Sequence, residues 1–118
     1  MNWGIAAVHK KYEIKITQHA ENSLRELAEY IAFALMAPKT AIAYITALRD
    51  GMNSLETFPG RIALTEDEPW RTYGVHKLLV KNHFVYFWID EENNKVQITD
   101  VIYAKSDQRK SLEKMPLV

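Results

Sequence analysis

Apolar and polar residues alternate through Tyr12-Glu13-Ile14-Lys15-Ile16-Thr17, the two-residue period of a strand. From Thr17 or Gln18 the period lengthens. Leu24, Leu27, Ala28, Ile31 and Leu35 recur at helical spacing and form one apolar face, while Arg25, Glu26 and Glu29 occupy the polar face. Glu21 falls in the first turn, where a negative charge suits the helix dipole. Pro38 interrupts the run and opens a second helix, since proline is tolerated in a first turn. Ala41, Ile45, Leu48, Met52 and Leu55 then step by four and three residues alternately, a narrow seam suited to a neighbouring helix. Gly51 weakens this helix locally, and Pro59-Gly60 ends it. A link of about three residues between two helices forces an antiparallel hairpin.

Beyond an acidic connector over residues 61–70 the period returns to that of strands. Tyr73–Val80 predicts one strand. Phe84–Ile89 predicts a second, and its unbroken apolar character places it centrally in a sheet. Lys81-Asn82-His83 and Asp90–Asn94 are turns, Lys95–Ala104 is a third strand, and Ser106–Lys114 is a short helix. Short loops imply an antiparallel meander. The predicted class is therefore α+β: an N-terminal strand, a helical hairpin and a three-stranded meander, with the hairpin on one sheet face and the other face open. Leu24, Leu27, Ile31, Ile45, Leu48, Leu55, Val85 and Phe87 are the expected core. Trp70 and Trp88 are expected to pack, whereas Trp3 lies outside the expected core.

The 118 residues suit one domain, taken as 12–114 behind an N-terminal extension over 1–11. Cysteine is absent, which excludes disulfides, thiolate zinc sites and cysteine nucleophiles. Fifteen basic residues balance fifteen acidic ones, so any phosphate contact must come from a local patch. The apolar stretch Ile5–Val8 precedes Lys10 and Lys11 instead of following a positive charge, unlike a secretion signal. The longest apolar run, Phe84–Ile89, is too short to span a bilayer. These features point to a cytoplasmic protein with no membrane partner.

The order of elements over Tyr12–Leu112 resembles the RelE/ParE toxin family. Four segments carry the resemblance. Ala37-Pro38-Lys39-Thr40-Ala41 looks like the family's helix junction, and Leu55–Arg61 like the end of its second helix. Phe84–Asp90 looks like its central strand, and Val96–Asp107 like its last strand and closing basic segment. The resemblance implies a growth-inhibiting toxin of a type II toxin–antitoxin pair, held inactive by a cognate antitoxin. It also implies one of two targets: the ribosome and its messenger RNA in the RelE branch, or DNA gyrase in the ParE branch. A domain of the same fold without toxic activity is the third reading.

Metal-free RNA cleavage needs groups that activate a ribose hydroxyl, protonate the leaving oxygen and neutralise the phosphate. Arg71, His76, Lys77, Lys81, His83, Tyr103, Lys105 and Arg109 have suitable side chains. Lys77 and Lys81 share strand parity, as do Tyr103 and Lys105. Together with the family's site position, parity selects Arg71, Lys77, Lys81, Tyr103 and Lys105 as catalytic candidates on the open sheet face. The same residues also have a purely structural reading, as solvated edge lysines and a packing tyrosine. Where RelE-like members carry tyrosine then arginine at the start of the central strand, this chain has His83-Phe84, and where they carry a basic pair after the last strand it has Lys105-Ser106. Lysine does not replace arginine where a planar fork must grip phosphate. These departures and the long hairpin favour the ParE branch. No cofactor is expected. Glu66, Asp67 and Glu68 read as solvated carboxylates more readily than as a metal site.

Overall fold

The computed structural model describes residues 10–118; Trp3 and nearly all of the expected N-terminal extension lie outside them. Strand β1 covers Glu13–Ile16 and leads into helix α1, Gln18–Glu29. Thr17 caps this helix, its side chain accepting from the Ala20 amide. The helix runs on through a π-helical turn, Tyr30–Ala34. Met36 then takes a left-handed conformation, and Pro38 starts helix α2, Pro38–Asn53. Short 3-10 turns at Ser54–Glu56 and Pro59–Arg61 lead to the connector. Strands β2 (His76–Val80), β3 (His83–Asp90) and β4 (Lys95–Tyr103) form the antiparallel meander, followed by helix α3, Gln108–Leu112.

The sheet order is β1-β4-β3-β2, so the N-terminal strand lies outside the meander and runs parallel to β4. Ala20 and Leu24 from α1, and Leu48 and Met52 from α2, pack with Leu55 onto Val85, Phe87, Val96, Ile98 and Val101. Six of the eight expected core residues are buried, while Leu27 and Ile45 are half-buried at its edge. Leu35 instead faces solvent. The π turn accounts for it: the Leu35 amide donates to the Tyr30 carbonyl, one residue further back than in an α-helix, so the apolar face drifts off the core.

Two expectations need correction. The first meander strand begins at His76, not Tyr73, because residues 70–74 turn tightly, with Gly74 at a φ of 85° and the Val75 amide bonded to the Trp70 carbonyl. The sheet face away from the hairpin is also not open. Trp70 and Val75 from the connector join Leu112 and Met115 from the C-terminal segment over Tyr86 and Ile102, with Phe84 and Leu117 beside them. The half-buried Trp88 donates from its indole nitrogen to the Leu117 carbonyl at 2.7 Å, which ties the tail down.

Among the described residues no helix is long and apolar enough to cross a membrane. A register shift between Tyr86 and Phe87, opposite Asp100 and Ile98, interrupts the β3–β4 ladder. There the buried Asp100 carboxylate accepts from the Ser23 hydroxyl at 2.6 Å and the Val101 amide at 2.7 Å, and meets His19 Nε2 at 2.9 Å. The irregularity thus fastens α1 to the sheet through a satisfied buried charge.

Candidate functional site

The five candidate side chains fall into two groups: Arg71 and Lys77 with the connector, and Tyr103 with the Lys81 turn and the Lys105 loop at the far end of β3 and β4. Cross-strand partners share a sheet face, so Lys77 lies with Tyr86 on the face covered by the C-terminal segment. Tyr103 pairs with His83, which bonds to Tyr44 of α2, and so lies on the hairpin side. Lys77 and Tyr103 are on opposite faces. Parity fails for Lys81 and Lys105 because neither is in a strand: Lys81 is a turn residue at a φ of 55°, and Lys105 follows the end of β4.

On the covered face the basic groups already have partners. Lys77 Nζ sits 3.0 Å from a Glu66 carboxylate oxygen and 4.4 Å from the centre of the Phe84 ring. The Lys77 hydrogen bond holds the Glu66 carboxyl below its ordinary value. Arg71 donates to the Thr65 carbonyl at 3.3 Å. Arg109 reaches Asp67 at 3.6 Å and lies over the Trp70 ring. Glu68 accepts from the Thr72 hydroxyl and amide, which keep its carboxyl below the usual value. The acidic connector thus serves as the counter-charge for Arg71, Lys77 and Arg109. Among the described residues, no cluster of three ligating side chains could hold a metal. The Tyr86 hydroxyl is buried beneath this cover without a hydrogen-bond partner among the described residues, and burial pushes its pKa well up. It is not a proton donor or acceptor available to a solvent-borne substrate.

On the hairpin side, Tyr103 stands beside two residues that the sequence pattern does not single out as a pair. The Tyr44 hydroxyl lies 2.7 Å from His83 Nδ1 and accepts from the Asn82 amide at 3.1 Å. The Tyr103 ring lies 5.5 Å from that of His83. Burial lowers the His83 pKa and keeps its ring neutral near pH 7. The residue pattern places His83 in a turn and among the candidate side chains, and Tyr44 lies one residue off the seam position Ile45. That adjacency was the only local signal for the contact. His76, a further candidate, is held structurally: its Nδ1–H donates to the Ile62 carbonyl at 2.8 Å and its ring stacks on Phe87.

An apolar surface lies on the hairpin. A groove of about 510 Å³ between the helices is lined by Ala32, Phe33, Ala41, Ile42 and Ile45, among others. Phe33 is 78% exposed, Ile42 70% and Met36 85%, so large apolar side chains crowd the hairpin tip in water.

The family model described as the ParE toxin of the type II toxin–antitoxin system parDE matches residues 14–108. The chain belongs to this family. Its fold is similar to that of a chain from the chromosomal ParDE toxin–antitoxin system of P. aeruginosa, at 17% identity and a TM-score of 0.67, covering 81% of this chain and 99% of that one. It is also similar to a chain of the RelBE2 toxin–antitoxin complex of Mycobacterium tuberculosis, at 18% identity and a TM-score of 0.58, covering 82% and 97%. No curated protein sequence matches it. The ParE-family match spans β1 to the start of α3, and so includes the hairpin groove and the Tyr44–His83–Tyr103 cluster.

Proposed function

We propose that this ParE-family chain is the growth-inhibiting toxin of its pair and acts by binding a protein target, DNA gyrase by the family resemblance, rather than by cutting messenger RNA. The observation that carries this reading is the division of the acid–base candidates between two sheet faces. Lys77 and Tyr103 lie on opposite faces, Arg71 and Lys77 are engaged with Thr65 and Glu66, and only the lysines of two loops stand near Tyr103. A cleavage site needs an acid, a base and a phosphate-neutralising group within hydrogen-bond reach of one substrate. Zero net charge and the exposed apolar hairpin suit a protein partner better than a polyanion.

The antitoxin is the second partner in this reading. Both similar structures come from toxin–antitoxin assemblies, and the hairpin groove has the form that receives an amphipathic segment. Ile42→Asp places a charge in that groove. It should weaken capture of the adjacent-gene antitoxin by about tenfold or more, because a buried charge lacks a partner there. Titration calorimetry of the parent chain and the Ile42→Asp variant checks this.

Cellular induction tests the target. Expression without antitoxin should relax plasmid supercoils while transcript ends remain unchanged. Ribosome-dependent transcript cuts that vanish in Tyr103→Phe or Arg71→Ala would show the chain to be a nuclease.

A further inference from the structure

A second cavity, of about 460 Å³, lies on the other side of α1 from the hairpin groove. Leu27, Tyr30, Ile31 and Leu35 make its helix wall, and His83 and Tyr103 make its sheet wall. Three features show that it is organised. First, Tyr30 and Ile31 belong to the π-helical turn, the irregularity that also turns Leu35 outward. Second, the Tyr44 hydroxyl is bonded on both sides. It accepts from the Asn82 amide and is hydrogen-bonded to His83 Nδ1 at 2.7 Å, which fixes the ring. The other ring nitrogen, Nε2, has no partner among the described residues, on a ring that lines the cavity. Third, the rim is cationic. The Ala104 amide donates to the Asn82 carbonyl at 2.8 Å, which sets the Lys81 turn and the Lys105 loop side by side just beyond the His83–Tyr103 pair. Both lysines are exposed, and neither forms an ion pair among the described residues.

We propose that this cavity is a recognition site for a partner peptide, taking one bulky apolar side chain whose neighbours in sequence are carboxylates. The apolar wall receives the side chain, the unpartnered His83 Nε2 hydrogen-bonds to the main chain next to it, and Lys81 and Lys105 attract the flanking acids. A nucleic acid fits less well. The lining offers no arginine fork for phosphate, and Lys81 and Lys105 lie outside it on flexible stems. The proposal rests on the reading of the chain as a protein-binding toxin, and it adds a contact of stated chemistry to that reading.

The test uses the full chain, labelled with nitrogen-15, and blocked five-residue peptides. One peptide has leucine between two pairs of acidic residues, a second has alanine in place of leucine, and a third has lysines in place of the acids. A five-nucleotide uridine oligomer is the fourth probe. The acidic leucine peptide should give saturable shifts of the His83 and Tyr103 signals, with binding about tenfold tighter than that of the alanine peptide, the scale of one buried leucine. Lys81→Glu with Lys105→Glu, two exposed changes outside the strands, should weaken binding by about tenfold or more while the rest of the spectrum is unchanged. No shift with the leucine peptide, equal binding of the alanine or lysine peptides, or tighter binding of the uridine oligomer would each overturn the proposal. Shifts of these signals with protein concentration alone would overturn it in favour of self-association. If the peptide fails while the supercoiling block persists, only this site falls; if both fail, the protein-binding reading falls with it.

Discussion

Lys77 carries a charge that is already matched, by a Glu66 carboxylate at 3.0 Å and the face of the Phe84 ring at 4.4 Å. The Lys77 side chain is largely covered, but Glu66 is 79% exposed, so water screens the pair. A double-mutant cycle of Glu66→Gln and Lys77→Met should therefore give a coupling below about 1 kcal/mol, read from denaturant midpoints. Neither change should alter growth arrest on induction; a lost arrest in stably folded Lys77→Met would place Lys77 in the machinery. His83 makes a different contribution. Burial holds its pKa below the ordinary 6.5, whereas the unfolded chain titrates near that value. The unfolded state then binds more protons below about pH 6.5, so stability is full above that pH and declines as pH falls toward the lower folded pKa. Unfolding midpoints at pH 7.5 and 5.5 should differ less in His83→Gln than in the parent chain. Equal pH dependence in the two would contradict the assignment of a neutral, half-buried ring.

At the scale of elements, helix α2 meets strand β2 at Gly51. A Cβ there would lie 2.6 Å from Val80 Cγ2, a terminal atom on a stiff branched side chain. Alanine gains about 1 kcal/mol of helix propensity over glycine, but overpacking costs about 1–3 kcal/mol. Gly51→Ala should accordingly fail to stabilise the protein and should lower its stability by up to about 2 kcal/mol. A rise in midpoint would show that α2 and β2 can separate freely. This contact also marks what the residue pattern conveys. The seam Ala41–Leu48–Met52–Leu55 and the apolar run of β3 were legible because burial and period are local properties. The π turn was not, because its hydrogen bonds slip by one residue without any glycine or proline to signal it. The cover over the second sheet face was also hidden. Trp70 is far in sequence from Leu112 and Met115, and no periodicity links it to them. The candidate site suffered most, since strand parity assigns a face only within a strand and Lys81 and Lys105 lie outside one.

Across the whole molecule, a four-stranded sheet carries a helical hairpin on one face and the chain's own connector and C-terminal segment on the other. Basic groups on the covered face are matched by Glu66 and Asp67, while exposed apolar residues gather at the hairpin tip. This organisation suits the proposed protein-binding reading, because among the described residues the acid–base candidates are divided between two sheet faces. The family match fixes what the chain is related to, and the distribution of its charged groups favours how it acts. The most direct measurement is a supercoiling reaction with purified gyrase and relaxed plasmid, run with the purified chain and with a triple variant, Arg71→Ala, Lys77→Met and Tyr103→Phe. Both proteins should block supercoiling to the same extent, and added antitoxin should relieve the block. An uninhibited gyrase, together with ribosome-dependent cutting of messenger RNA by the parent chain and not by the variant, would contradict the account.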